Sequence, residues 1–405
     1  MYEYKGNIKE LRLLTSVNRI MAFILGVAIN FDYFMVGGVI SFVTLLILLY
    51  FVSVFIFLGR VTLSVYYKKI LVLPFLYLAL LILMNLVNSN TVSHRLIQPG
   101  FAFCLGLFVF VFFHLSKDNK AYEFLLSGLM TGGILMSFFF WVGVGVEYQN
   151  GRLTMFGTNP NNLGCLLCLS VAIMLYKVII DDLFNLRLLR FLFLLTLFPI
   201  VRLILSTGSR TAFFSMSSVA LLVFLVAPTK YKITKVVLVA ILIGTIIIGY
   251  GYLLEYEDLY SRIMLTFSDG DLSNRESIWA RLVPLALDHP FGIGQTGYTE
   301  FTQQVFLSTD IDGAASPHNV LLEVALYTGF LGLFIMSLFW FRVFRCAWYE
   351  FKKGRDLLPI LLMLVIFVQM LLGQILTFRT AWVVYAYVIA GSSSMCFKKK
   401  YVFEY

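Results

Sequence analysis

Apolar stretches of about twenty residues recur along the whole chain and constrain its fold more than any other feature. Apolar residues make up 60% of the chain and charged residues 13%, and the mean hydropathy is +0.89. A soluble protein carries about a quarter charged residues, and one core could not bury this much apolar surface. The sequence therefore predicts an all-α polytopic membrane protein and excludes a cytoplasmic globular enzyme, a nucleic-acid-binding protein and a disordered chain.

Charged residues separate the apolar stretches, and a helix needs about 20 residues to cross a bilayer. We therefore expect about twelve transmembrane helices within a single integral membrane domain, residues 1–405. No small-residue cleavage site follows the first stretch, so no signal peptide is expected. The predicted spans are 18–31, 34–58, 70–87, 96–115, 124–146, 163–180, 191–207, 211–227, 236–254, 320–341, 357–376 and 380–397.

The basic residues predict the orientation of these spans. Assigning alternate loops to the cytoplasm places 23 of the 31 basic residues, with every lysine, on one side. The positive-inside rule makes that side cytoplasmic, and both termini lie there. The long polar stretch 255–319 then becomes one large extracytoplasmic loop between helices 9 and 10. Since the other loops are short, this loop is expected to cover or build a site.

Basic residues on the opposite, outer side are all arginines. Arginine stays charged when desolvated and binds phosphate or carboxylate through two parallel hydrogen bonds. Such arginines could simply pair with outer acids, or they could form an anion site. Arg202 favours the anion site because it lies in an apolar stretch, where an unpaired charge is costly. The outer set is Arg95, Arg152, Arg202, Arg210, Arg262, Arg275, Arg281 and Arg379.

Two outer segments combine an arginine with turn and hydroxyl residues. Residues 151–162 carry Arg152 and lead into a predicted helix, although Pro and Asn at a helix entrance are also ordinary capping residues. The turn 206–211 carries Ser209 and Arg210. Its hydroxyls and backbone N–H groups at a helix start could hold an oxyanion, and the arginine would add charge.

Two further outer segments carry histidine. Arg275 and Trp279 fall on one helical face and are followed by the turn His289–Gly294, in which His289 is expected to be structural. His318 stands at the entrance to the tenth span, and Glu323 lies about one turn further in. Histidine is the side chain best suited to proton abstraction near neutral pH, and Glu323 could orient its ring.

The sequence gives only weak support for a metal site or for redox-active cysteines. Asp269 and Asp271 resemble the DxD of metal-dependent sugar transferases, but two acids in a Gly/Ser-rich loop are commonly just solvated. Cys165 and Cys168 share a face of an apolar helix, where cysteines usually serve packing. We expect no metal and no cofactor.

At these four segments the sequence resembles the O-antigen ligase/Wzy polymerase superfamily of bacterial polysaccharide assembly. Twelve spans, inner termini and a large outer loop between spans nine and ten fit the same resemblance. Each motif is short, so the resemblance depends on the order of the motifs along the chain and on their shared location on the predicted outer side of the membrane. The motifs are Arg152…Asn159-Pro160-Asn161, Ser209-Arg210, Arg275 with Trp279 and His289-Pro290-Phe291-Gly292-Ile293-Gly294, and His318-Asn319…Glu323…Gly329.

The resemblance implies metal-independent, inverting transfer of a glycan from an undecaprenyl-pyrophosphate donor to a hydroxyl group, on the outer face of the bacterial inner membrane. His318 would be the catalytic base. Charge developing on the leaving pyrophosphate would be stabilised by arginines. The implied pyrophosphate-binding residues are Arg152, Arg210, Arg275 and Arg379, and the supporting residues are Asn319, Glu323, Ser209 and Trp279.

The acceptor decides between related activities. We expect a polymerase that extends a lipid-linked repeat unit of O-antigen or capsule type, with a ligase acting on lipid A-core as the alternative. Membrane lipid and a chain-length regulator protein are further expected partners, whereas nucleic acid is not. A lipid-linked glycan flippase or other transporter would also explain twelve spans, but transporters usually have related halves, and no internal repeat is evident here.

Overall fold

Long apolar helices dominate the structure, a computed structural model that describes residues 8–32, 34–36, 40–58, 65–88, 97–149, 152–180, 193–226, 275–306, 317–354, 356–373 and 376–401. The helices are α1 Ile8–Ile29, α2 Phe42–Leu58, α3 Val65–Val87, α4 Ile97–Lys117, α5 Asn119–Trp141, α6 Pro160–Leu175, α7 Leu197–Ser206, α8 Arg210–Val226, α9 Arg275–Asp288, α10 Gly294–Phe306, α11 Val320–Gly354, α12 Leu358–Leu372 and α13 Arg379–Tyr401.

Strands are confined, within the described ranges, to two short antiparallel hairpins. One pairs β1 Met35–Val36 with β2 Ile40–Ser41, and the other pairs β3 Val146–Gln149 with β4 Arg152–Met155. Five helices are long and apolar enough to cross a membrane: those at 66–87, 98–117, 119–141, 160–180 and 320–354. The all-α, polytopic membrane fold class is therefore confirmed.

Helix boundaries differ from the sequence-based spans at particular places. Helix α1 begins about ten residues before the first predicted span. The second predicted span starts at residue 34, but a hairpin occupies its first residues and α2 begins at Phe42. The Phe42 N–H donates to Phe34 O at 2.9 Å and closes this hairpin. The ninth predicted span, 236–254, lies outside the described residues, and the crossing of a bilayer by each helix stays a prediction.

Helices α1 and α5 pack closely through glycines. A Cβ atom added to Gly26 would lie 2.5 Å from Leu125 O, so only glycine allows this approach. The Asn30 amide donates across the same interface to Leu129 O at 3.3 Å, as well as to Gly26 O at 3.1 Å. Small residues that bring backbones together, supported by a polar side chain, are typical of helix pairs in membranes.

An aromatic cluster around Trp382 forms the centre of the core. The Trp382 ring stacks on Phe339 at 5.7 Å and meets Phe101 and Phe108 edge-on at 5.3 and 5.7 Å. Its indole N–H donates to Leu376 O at 2.8 Å, so its polar atom is satisfied although the side chain is buried. Rings from α4, α11 and α13 thus fix the three helices against one another.

Helix α11 is interrupted near its start. Gly329 has φ 67° and ψ −168°, which only glycine adopts readily. The turn after α9 packs onto this break, since the N–H of Ile293 donates to Leu326 O at 2.8 Å and that of Phe330 donates to Pro290 O at 2.9 Å. A Cβ on Gly292 would lie 2.5 Å from Gly329 N. The two glycines, both in motifs of the family resemblance, therefore permit backbone-to-backbone docking.

Candidate functional site

The β3–β4 hairpin carries Arg152 to the turn that follows α7. Gln149 pairs with Arg152 at the end of the hairpin, and Leu153, Thr154 and Met155 are buried. Burial of these three consecutive residues fixes the hairpin against the protein, and Arg152, which is partly exposed, lies at its rim. The Arg152 Nε donates to Thr207 O at 3.2 Å.

Arg152, Asn161, Thr207 and Ser209 form one hydrogen-bonded group, called here the arginine cluster. Asn161 Oδ1 accepts from Arg152 Nη2 at 3.0 Å and from the Ser209 hydroxyl at 2.9 Å. The Ser209 N–H donates to Thr207 Oγ1 at 3.2 Å. A backbone carbonyl oxygen and an amide oxygen thus orient the guanidinium, and these two contacts do not cancel its charge.

Two helices begin at the arginine cluster. Asn159 caps α6, its side chain accepting from Asn161 N at 2.9 Å, and Ser209 caps α8, accepting from Ala212 N at 3.3 Å. Arg210 is the first residue of α8. Helix N-termini carry partial positive charge and suit anions, whereas a cation such as Arg210 is disfavoured there unless an anion lies nearby. Two helix starts, Arg152 and the first residue of α8, Arg210, therefore lie next to one another.

Helix α12 reaches this region through a contact that sequence reasoning missed. Gln369 is buried, and its Nε2 donates to Asn162 Oδ1 at 3.0 Å, next to the arginine cluster. Within the described part of the chain, Gln369 Oε1 has no hydrogen-bond partner. A glutamine inside an apolar span was the available signal, because polar residues there usually face the protein interior.

His318 is held in an unusual backbone conformation. Its φ is 46°, a left-handed value that costs a non-glycine residue about 1 kcal/mol. The neighbours on both sides fix it: the Trp279 indole N–H donates to Pro317 O at 2.7 Å, and Asn319 Oδ1 accepts from Leu321 N at 2.9 Å and caps α11. Local strain of this kind often occurs at functional sites.

Glu323 lies among tyrosines from three helices. It is buried and accepts a hydrogen bond from Tyr327 one turn later, and its electrostatic neighbours include Tyr77 of α3 and Tyr298 of α10. Burial raises the pKa of the Tyr298 phenol, and the Glu323 charge adds to the rise. Within the described residues, Glu323 Oε2 has no hydrogen-bond partner. The spacing of Tyr327, four residues after Glu323, was the signal for this contact.

Arg379 lies in a different environment. Its Nη1 is 2.5 Å from Asp32 Oδ1, and its guanidinium stands 5.0 Å from the centre of the Phe103 ring. Burial raises the pKa of the Asp32 carboxyl, and the Arg379 charge offsets part of that rise. Arg379 thus pairs with an acid, one of the two roles that the sequence left open for the arginines predicted on the outer side. This ion pair joins the α1–β1 turn to the start of α13.

Other sequence candidates are placed as follows. The Arg202 guanidinium stacks on Trp141 at 4.8 Å, which offsets the cost of a charge beside apolar helices. Arg275 begins α9, but its side chain is not among those described. Asp269 and Asp271 also lie outside the described residues. No group of three potential metal ligands occurs within the ranges that the structure describes.

The residues that the sequence predicted as one site therefore fall into separate groups in the structure. Arg152 and Ser209 share the arginine cluster, with Arg210 next in the chain. Trp279 and Asn319 hold the segment around His318. Arg379 pairs with Asp32 instead of joining either group.

Residues 191–337 match the family model described as O-antigen ligase. The resemblance seen in the sequence is confirmed over these residues, and the match supports an activity of the O-antigen ligase and polymerase type. The matched segment contains Ser209, Arg210, Trp279 and His318, whereas Arg152 lies outside it and reaches it through Thr207 O. No curated protein matches the chain.

Proposed function

We propose that this protein polymerises polysaccharide repeat units by transferring a glycan en bloc from undecaprenyl pyrophosphate to a sugar hydroxyl. We place the reaction on the outer face of a bacterial inner membrane. The family match supports this class of reaction, and the apolar helices support a substrate that is delivered by the bilayer.

The arginine cluster is the observation that carries the proposal. When the bond from the sugar to the pyrophosphate breaks, negative charge develops on the phosphate oxygens. Two helix N-termini with Arg152 and Arg210 beside them supply fixed positive charge for such a group. Because Asn161 and Thr207 O hold the Arg152 guanidinium in place, little reorganisation is needed when the charge appears.

His318 is proposed as the base that takes the proton from the attacking hydroxyl, which would invert the anomeric carbon. Its backbone is fixed by the Asn319 cap and by the Trp279 bond to Pro317 O. Asn319 and Trp279 are therefore proposed as positioning residues. Glu323 contacts Tyr327 of its own helix and lies near Tyr77 of α3 and Tyr298 of α10. We therefore propose that Glu323 holds α3, α10 and α11 together near His318.

The remaining arginines take different proposed roles. Arg275 stays a proposed pyrophosphate ligand, since it stands at the start of α9, whose Trp279 contacts the His318 segment. Arg379 is assigned to stabilising the fold, because Asp32 already satisfies its charge. We expect the reaction to proceed without a metal ion, the arginines taking the part that a divalent cation plays in other sugar transferases.

Purified protein in vesicles with lipid-linked repeat units tests this function. A ladder of extended glycans without lipid A-core would support polymerisation, and His318→Ala should abolish it while the protein still folds. Transfer that appears only when lipid A-core is added would support the ligase alternative, which the description of the matched family favours. Full activity of His318→Ala, with either acceptor, would contradict the proposed base.

A further inference from the structure

Helix α9 has an apolar surface on two sides. Its inner side packs against the protein through Ile278, Leu282 and Ala286, which are spaced four residues apart and buried. A second side carries Val283 and Leu287, which are 44% and 62% exposed. The polar residues Ser277, Arg281 and Asp288 fall together on a third, exposed side. Packing against the protein therefore covers one apolar side of this helix and leaves the other apolar side exposed.

The turn after α9 continues the exposed apolar surface. Phe291 is 79% exposed, although it lies in a turn whose backbone is firmly bonded to α11. The bond from Phe330 N to Pro290 O places this turn beside the part of α11 that carries Phe330 and Leu331. The exposed apolar residues of α11 in this region are Phe330, Leu331 and Phe334.

Helix α11 identifies what this surface contacts. It is one of the helices long and apolar enough to cross a membrane, so we expect exposed phenylalanines on it to face acyl chains. Arg342 and Arg345 follow the break by 13 and 16 residues, so the apolar part of α11 after Gly329 is only about 18 Å long, shorter than a hydrocarbon core. With the predicted span 320–341, Gly329 and the Phe291 turn bonded to Phe330 therefore lie on the hydrocarbon side of the start of α11.

We propose that α9 and its turn form an interfacial element that inserts Val283, Leu287 and Phe291 among the acyl chains of the leaflet next to the start of α11. The occupant of this surface is lipid, because the surface is continuous with the lipid-facing side of α11. The polar side with Ser277 and Asp288 then faces water or headgroups, as in amphipathic helices that lie in a membrane interface. This contact with lipid does not depend on which reaction the protein catalyses.

Spin labelling of the full chain in lipid nanodiscs tests the proposal. Four native cysteines, Cys104, Cys165, Cys168 and Cys346, are buried and should not label. In a Cys396→Ser background, cysteines replace Leu287, Phe291 and Val283 one at a time. Matched controls are Ser277→Cys and Asp288→Cys on the polar side of the same helix and Leu331→Cys on α11. Each nitroxide is measured against oxygen, which concentrates in lipid, and against a water-soluble nickel chelate.

The measured quantity is the accessibility of each nitroxide to oxygen divided by its accessibility to the nickel chelate. We expect labels at 287 and 291 to give the same ratio as the Leu331 control. This ratio should be several-fold higher than at 277 and 288. A ratio equal to that of the polar-side controls would overturn it. Loss of access to both reagents at 287 and 291 would also overturn it, because it would mean that protein instead of lipid covers this surface. A label at position 283 gives an independent measurement of the same accessibility ratio if one of the other variants fails to fold.

Discussion

Arg152 and Arg379 differ in what holds them, although both are predicted on the outer side and the family resemblance implies that both bind pyrophosphate. Arg379 is paired with the Asp32 carboxylate at 2.5 Å. Arg152 is oriented by Thr207 O and by the amide oxygen of Asn161. A carboxylate cancels the charge of a guanidinium, whereas a neutral oxygen only fixes its direction. The first arrangement stabilises the fold, and the second is the one that we propose to hold a phosphate.

The helix starts reinforce this difference. Arg210 and Arg379 each begin a helix, where a cation is disfavoured by the helix dipole. Asp32 compensates this at α13. At α8 the same position lies beside a second helix start and the arginine cluster, where we propose that the pyrophosphate binds.

The largest expected effect follows from removing the Arg152 charge. Arg152→Gln should lower the rate of glycan transfer by about 100-fold or more, as expected for loss of a group that stabilises charge in the transition state. Arg152→Lys should recover little, because an ammonium lacks the rigid planar fork that can bind both acceptors and a phosphate at once. The rate in vesicles with lipid-linked glycans measures both variants. A rate for Arg152→Gln within a few fold of the unmodified protein would remove Arg152 from the site.

Breaking the other pair should affect stability instead. Arg379→Met leaves the buried Asp32 without its partner and should cost about 3 kcal/mol. Thermal unfolding in detergent measures this loss. The double variant Asp32→Leu/Arg379→Met should regain most of the stability, and its transfer rate per folded molecule should stay near that of the unmodified protein. A large drop in that rate would return Arg379 to the pyrophosphate site.

Asn161→Asp makes the partner of Arg152 resemble that of Arg379. The new carboxylate can still accept from Arg152 and Ser209, but it neutralises the guanidinium and repels a phosphate. Transfer should fall about 10-fold, or about 1.4 kcal/mol, with unfolding temperature unchanged or raised. Asn161→Ala is the control for simple loss of orientation. If the aspartate variant were more active than the alanine variant, the role of charge at this position would be wrong.

The smallest effect concerns pH. Burial raises the pKa of Asp32 in the folded protein above its unfolded value, so the folded state binds a proton more readily and stability falls as pH rises through this range. Without Arg379 the pKa of Asp32 should rise further, because the positive charge that offsets the effect of burial is gone. The loss of unfolding temperature in Arg379→Met should therefore be smaller at pH 5 than at pH 8. An equal loss at both pH values would argue against a buried, uncompensated carboxylate.

Apolar stretches were sufficient to predict helices and the membrane class, because both depend on local composition. They could not distinguish the hairpin at Met35–Ser41 from the start of α2, since both are apolar. Residue type also predicted arginines at a polar turn, but not their partners. Asp32 lies 347 residues from Arg379, and Asn162 lies 207 residues from Gln369. Such pairs are set by helix packing, which one sequence does not reveal.

Titration calorimetry with farnesyl pyrophosphate tests most directly whether the arginine cluster binds a lipid pyrophosphate. The unmodified protein, Asn161→Asp and the double variant Asp32→Leu/Arg379→Met should be compared in the same detergent. We expect Asn161→Asp to raise the Kd about 10-fold and the double variant to bind like the unmodified protein. Unchanged binding by Asn161→Asp, together with a loss of binding in the double variant, would contradict the assignment and place the pyrophosphate at Arg379.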